Sequence, residues 1–313
     1  MKRDNYGRLD LNECKTLNDF IIGRKEKIWL EHDNKKYLFK CGASNYEIYA
    51  ELIAAELASQ CGFPTAEYDY ATIHGKVGVV TPSFLNMGDI IISGEKYLKD
   101  ADEIALQNNF PYHFKENSIK NIYEAVLMID GRTDNVTKIL YDLLQLWCFD
   151  IAILESDRNK TNWSIIRNRD GNARLAPIYD CSTMARMNTD VVSVVGNLRS
   201  ENQVYNIIDS IQYSLQINEE KDCNFYRDLE YLCQRFPNEI SLILESIKKI
   251  DVDKAIDVVE EKINEGKEEK VFEIPHVIKI WLSKAIGIRK NEMIAVYNRV
   301  MNKTKTNLSS FTI

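Results

Sequence analysis

Hydrophobic and polar positions form short runs over the first 85 residues and then lengthen into helical spacing. Residues 27–31 and 36–40 are short apolar-rich runs on either side of His32-Asp33-Asn34-Lys35. Polar turn formers between two such runs predict a β-hairpin. Residues 45–61 place Ile48, Leu52, Ala55, Leu57 and Ala58 at helical intervals, and Gly62 followed by Pro64 ends that helix. Two more strands are expected at 67–73 and 76–81, around His74-Gly75, with Pro82 closing the second. The order β-β-α-β-β describes a small sheet carrying one helix.

Beyond this point helical periodicity covers 121–129 and 137–154, with 131–135 between them. Residues 162–166 and 175–179 flank Asn168-Arg169-Asp170-Gly171-Asn172 and predict a second hairpin. From about Asn206 to Met301 the pattern gives four or five helices, without repeats or low-complexity tracts. The predicted architecture is an α+β fold of two lobes. A β-rich N-terminal lobe spans 1–85, a larger helical lobe spans 86–313, and a cleft lies between them.

The chain of 313 residues is long enough for two such lobes. With 45% hydrophobic and 28% charged residues it reads as a globular protein. Its net charge of -7 argues against general nucleic-acid binding, which needs a basic excess. Local basic patches, Arg24-Lys25-Glu26-Lys27 and Arg158-Asn159-Lys160, remain as anion sites. No apolar run approaches the roughly 20 residues of a membrane span, and residues 1–12 are too polar for a secretory signal. A cytoplasmic location is expected, with export as an effector left open. The 7 cysteines are scattered without a Cys-x-x-Cys pair and the 4 histidines are isolated, so neither a zinc site nor histidine-based hydrolysis is expected.

The strongest chemical signal is Asp157-Arg158-Asn159-Lys160-Thr161-Asn162, followed one hairpin later by Ala176-Pro177-Ile178-Tyr179-Asp180. Phosphoryl transfer needs an aligned hydroxyl, a proton acceptor and divalent ions on the phosphate oxygens. Asp157 could orient the hydroxyl, while Asn162 and Asp180 could supply oxygen ligands to magnesium. Asp-x4-Asn alone is equally the chemistry of turns and caps. Lys40, closing the strand Tyr37-Leu38-Phe39-Lys40, could hold the α- and β-phosphates if an acid positions it. Glu51 on the following helix, or Glu47 one turn earlier, could be that acid; the plain alternatives are an edge-strand lysine and a solvated helix face. Upstream, the turn Ile22-Gly23-Arg24-Lys25-Glu26-Lys27 could form an anion nest from backbone amides and Lys27.

Taken in order, Gly23-x-x-Glu26-Lys27, Lys40, Glu51 followed by Gly62, Asp157-x4-Asn162 and Pro177-Ile178-Tyr179-Asp180 resemble the HipA-like serine/threonine kinases, especially their short bacterial members. The resemblance covers about residues 18–190. It implies an ATP- and magnesium-dependent kinase acting on a protein serine or threonine. Gly23, Arg24 and Lys27 would belong to the phosphate-covering loop, Lys40 and Glu51 would form the phosphate-holding pair, and Asp157 would act on the hydroxyl. Asn162 and Asp180 would hold magnesium. Pro82, Ser83 and Phe84, within Thr81–Leu85, would form the adenine-binding hinge, and Ile178 would floor the purine pocket. Toxin–antitoxin relatives imply an antitoxin-like helix-turn-helix partner.

The chain also departs from that family. It has no room for the extra N-terminal subdomain of the longer toxins, and Ile22 stands where some members autophosphorylate a serine. Asn159 and Thr161 stand where the family often has a histidine and some members a lysine, so a helper cation would come from Arg158 or Lys160 or be missing. Asp150 would be either a brace for the catalytic loop or a surface aspartate. Two other readings stand beside a protein kinase. One is a phosphatidylinositol-kinase-like or small-molecule kinase, suggested by Asp-Arg-x-x-x-Asn; the other is a nucleotide-binding pseudokinase effector, suggested by Asn159 and Thr161.

Overall fold

The tetrapeptide 32–35 turns the chain as its composition predicts. Asp33 and Asn34 both adopt left-handed backbone, with φ of 49° and 60°, which a two-residue type I′ hairpin turn requires. His74 and Gly75 repeat the device in the next hairpin, with φ of 48° and 78°. In this computed structural model, residues 1–17, 26–111, 113–131, 134–187, 196, 200–217 and 224–309 are described. The strands are β1 (Leu9–Asp10), β2 (Lys15–Leu17), β3 (Lys27–His32), β4 (Lys35–Cys41), β5 (Asp69–Ile73) and β6 (Lys76–Pro82). They form one sheet in the order β1-β5-β6-β4-β3-β2, antiparallel except for β1 beside β5.

Alternation along these strands gives the sheet two unlike faces. Leu30, Phe39, Ala71, Ile73 and Val80 pack with Leu11 in a small core on one side. Their neighbours Lys40 and Val79, paired across β4 and β6, therefore face the other side. There lies helix α1 (Asn45–Cys61), capped by the Ser44 hydroxyl at its start and by Gly62 in left-handed backbone (φ 72°) at its end. Apolar residues surround most of this helix because the helical part of the chain covers it from behind.

That part begins with β7 (Ile90–Ser93), α2 (Gly94–Gln107), α3 (Ile119–Asp130) and α4 (Asp134–Ile153). A small antiparallel sheet follows as β8 (Ser164–Arg167) and β9 (Ala173–Leu175) join β7. After a 3₁₀ turn at Met184–Arg186 come α5 (Glu201–Asp209), α6 (Phe225–Arg235), α7 (Pro237–Ile247), α8 (Val252–Asn264) and α9 (His276–Ser309). One continuous core runs from α1 through α4 to α9, with Trp147, Trp163 and Trp281 buried in it. Among the described residues no helix is long and apolar enough to cross a membrane.

The predicted 175–179 strand is corrected. β9 stops at Leu175, two residues before Pro177, whose missing N–H cannot continue a ladder. Ile178 instead makes a single bridge to Thr65, donating its N–H to the Pro64 carbonyl at 2.8 Å. The expected β-β-α-β-β order stands, with β1 and β2 added at the sheet edges and β7 and α2 in a stretch where no element was predicted.

Gly78 shows how tightly the sheet fixes Lys40. A Cβ at Gly78 would sit 2.1 Å from the Lys40 carbonyl oxygen, so Gly78→Ala must push β4 away from β6. Overpacking of this kind costs about 1–3 kcal/mol and should lower the melting temperature by at least about 2 °C. Gly287 in α9 meets nothing within 4 Å, so Gly287→Ala should leave stability the same or raise it. A thermal melt of both variants checks the opposite signs.

Candidate functional site

Lys40 leaves the inner face of β4 directly beneath α1, and the helix presents Glu51 one turn after Glu47. Lys40 Nζ lies 2.5 Å from Glu51 Oε1 and 2.5 Å from Asp180 Oδ1. Glu47 turns back and accepts the Ala43 N–H at 3.0 Å. Lys27, paired with Lys40 across the β3–β4 hairpin, places its ammonium 3.6 Å from Asp180 Oδ2. One carboxylate thus sits between two ammonium groups. Burial works against the Lys40 charge, but the attraction of Glu51 and Asp180 outweighs it and holds the ammonium above its ordinary range. Burial likewise pushes the Glu51 carboxyl up against the pull of Lys40. The second Glu51 oxygen accepts the Cys181 N–H at 3.0 Å, tying α1 to the loop that carries Asp180.

The other half of the site follows α4. Its apolar last turn ends at Leu154, whose left-handed backbone (φ 60°) turns the chain out of the core. Arg158 then points back inward with 1% of its surface exposed. A guanidinium has five N–H donors, and here every one has an acceptor. Nε and Nη2 meet the two Asp150 oxygens at 2.9 and 2.8 Å. Nη1 reaches the Asn162 and Tyr179 carbonyls at 2.8 and 2.5 Å, and Nη2 also reaches Cys181 Sγ at 3.2 Å. Burial raises the Asp150 carboxyl and Arg158 opposes it.

Around this joint Asp157 stands exposed to solvent, one carboxylate oxygen accepting from the Asn159 amide at 2.9 Å. The Asn162 amide donates to the Asp157 carbonyl at 2.7 Å, and its own oxygen accepts from the Thr161 hydroxyl at 3.3 Å. Asp180 has left-handed backbone, φ 56°, with its N–H donated to the Tyr68 hydroxyl at 3.3 Å. Phe84 stacks on Tyr179 with ring centroids 6.3 Å apart, bringing the 82–84 segment beside the same loop. Ser83 donates its N–H to the Lys36 carbonyl at 2.8 Å, Pro82 is exposed, and Ile178 is buried.

The sequence-predicted Lys27, Lys40, Glu51 and Asp180 therefore converge, and Asp157 and Asn162 share one loop braced against the Asp180 loop. Gly23 and Arg24 lie outside the described residues. Two expectations change. Arg158 is no helper cation, because its guanidinium is enclosed and fully engaged, and the Lys160 ammonium contacts the Lys115 carbonyl. Asp150 is a buried brace, not a surface aspartate. Glu155, Thr183 and Tyr68 had no motif to reveal them; only an acid two places before Asp157 hinted at the first.

Asp180 and Asn162 offer the oxygen types that magnesium takes, a carboxylate and a side-chain amide. Among the described residues no three His, Cys, Asp or Glu side chains converge as a metal cage. A cavity of about 450 Å³ between α1 and α8, lined by Glu56, Phe63, Tyr68 and Lys262, contains none of the converging charged groups.

The HipA-like C-terminal domain family model matches residues 20–251. No curated protein matches the sequence. Among solved structures, the chain is similar to the Helicobacter pylori proinflammatory kinase CtkA, with a TM-score of 0.72 at 17% identity over 94% of this chain and 98% of that one. It is also similar to a chain of the Shewanella oneidensis MR-1 toxin–antitoxin complex of HipA, HipB and operator DNA. There the TM-score is 0.51 at 14% identity, covering 92% of this chain and 66% of the other. At these identities both likenesses speak for the fold.

The Arg158 joint makes a stability prediction. Asp150→Ala strands a buried guanidinium, which typically costs about 3–5 kcal/mol. Chemical denaturation should show a loss of that order. A loss below about 1 kcal/mol would mean that the pair is dispensable to the fold.

Proposed function

The chain belongs to the HipA-like C-terminal domain family, and from that premise we propose that it is an ATP- and magnesium-dependent kinase acting on protein serine or threonine hydroxyls. The fold is that of the HipA-like kinases. The observation that carries the reading furthest is Lys40 held between Glu51 and Asp180 at 2.5 Å on each side, with Lys27 close by. Two ammonium groups converging on one carboxylate form a site into which phosphate oxygens can enter.

In this reading Glu51 aims Lys40 at the nucleotide phosphates, and Lys27 adds a second positive charge. Asp180 and the Asn162 amide oxygen would hold magnesium, whose charge would offset that of the phosphate oxygens. Asp157, exposed at the mouth of its loop, would accept the hydroxyl proton as the acceptor oxygen bonds to the terminal phosphorus and the bond to the bridging oxygen breaks, releasing ADP. Pro82, Ser83 and Phe84 form the strand-end segment that takes the adenine, with Ile178 beneath it; the lobes divide at residue 85. Gly23 and Arg24 complete the phosphate-covering loop. The Shewanella complex of HipA with HipB supports a small antitoxin-like partner for this chain.

The roles of Asp157 and Asp180 separate under mutation. Asp157→Ala should lower label transfer from ATP by roughly a thousandfold, at least about 4 kcal/mol of transition-state stabilisation. It should still bind ATP with magnesium. Asp180→Ala should lose the magnesium-dependent part of that binding. Ligand at a hundred times its dissociation constant stabilises by about 2.7 kcal/mol, enough for a readable thermal shift. Two wild-type-like mutants would remove both residues from the phosphates. Label appearing on inositol lipids or sugars, and none on protein, would move the acceptor to those classes.

A further inference from the structure

Glu155 is buried, with 1% of its surface exposed, two residues before Asp157. Its carboxylate stands where the catalytic loop and the Asp180 loop meet. One oxygen accepts the Asp157 N–H at 2.7 Å and the Thr183 hydroxyl; the other accepts the Thr183 N–H at 3.1 Å. The Thr183 hydroxyl oxygen in turn accepts from Asp157 N at 3.2 Å and from the Ser156 hydroxyl at 3.3 Å. A single side chain therefore sets the backbone of the residue assigned to the acceptor hydroxyl against the loop assigned to the metal.

We propose that Glu155 is a positioning residue for phosphoryl transfer, acting through its carboxylate on the backbone of Asp157 and Thr183. The inference rests on the kinase reading above. Only the ionised group accepts all three donors without one of them turning away. A glutamine in its place presents an NH₂ to either the Asp157 or the Thr183 N–H, whichever way its amide is turned. It thus fails at one of the two loops while keeping nearly the same volume.

Protonation would have a similar effect. The charged and titratable groups facing Glu155 are Arg158 and Asp157 from its own loop, Asp150 from α4, and Cys181 from the Asp180 loop. Burial pushes the Glu155 carboxyl up to about 8; Asp150 adds to this, while Arg158, the Thr183 hydroxyl and the Asp157 N–H oppose it. The positioning form is the deprotonated one, so turnover should rise as pH increases through about 8.

The test compares wild type, Glu155→Gln and Thr183→Val in label transfer from ATP across pH 6–9. It also measures the thermal shift with magnesium-ATP and amide hydrogen exchange at Asp157 and Thr183. Glu155→Gln should lower kcat tenfold or more, leave KM for ATP within twofold and keep the thermal shift. It should also lose the rise in turnover near pH 8. Thr183→Val, which keeps the N–H bonds to Glu155 but removes the hydroxyl as donor to Glu155 and as acceptor from Asp157 and Ser156, should lose less of kcat and keep the pH step. Wild-type kcat and pH profile in Glu155→Gln would overturn the proposal. So would a joint loss of kcat and nucleotide binding, which marks general damage to the fold. If wild type binds nucleotide yet transfers no label, the kinase reading fails and exchange alone decides the role of Glu155. Tenfold faster exchange at Asp157 and Thr183 in Glu155→Gln would then support positioning, and unchanged exchange would overturn it.

Discussion

The Arg158 guanidinium is the joint on which the site turns. Enclosing a charge costs several kcal/mol, and Asp150 repays that only because the geometry is bidentate and the remaining donors also find acceptors. Those acceptors lie on three separate segments: the last turns of α4, the Asn162 end of the 157–162 loop, and Tyr179–Cys181. Arg158 supplies a donor to both backbone carbonyls, so the same side chain that Asp150 neutralises ties these segments together.

A second cluster, around Lys40, joins what Arg158 does not. It links the sheet, helix α1 and the Asp180 loop through charges that are largely out of water. Strand alternation sends Lys40 to the α1 side and Phe39 to the small core, so the placement of one ammonium follows from the pleat of β4. Cys181 takes part in both clusters, receiving Arg158 on its sulfur and giving its N–H to Glu51. Displacement at either cluster is therefore felt at the other through a single residue.

Much of this was legible in the sequence where the signal is local. The turn at Asp33-Asn34, the helix from Asn45 to its Gly62 cap, and the hairpin around residues 168–172 all declare themselves by residue type and spacing. The Lys40–Glu51 pair was legible because strand and helix follow one another closely. The apolar run 175–179 reads as a strand by residue type, but Pro177 lacks the N–H that a ladder needs, and β9 ends at Leu175. Arg158 looked like a cation for phosphate because its charge is in the sequence and its burial is not. Glu155 and Thr183 act through backbone contacts 28 positions apart, and no spacing rule reports those. β7 and α2 passed unmarked although Ser93 caps the helix by accepting the Lys96 N–H, since no candidate chemistry drew attention to that stretch.

The separation of Lys40 from Asp180, 140 positions along the chain, bears on when the site comes into being during synthesis. At synthesis rates of roughly 5–20 residues per second, Asp180 emerges on the order of ten seconds after Lys40. The Trp281 ring N–H, which secures the Ala185 carbonyl just beyond the Asp180 loop, comes later still. Until Asp180 emerges, Lys40 and Lys27 lack the carboxylate they share, and the charge cluster is unfinished. The cluster therefore closes in two stages, the shared carboxylate first and the support of α9 behind its loop afterwards.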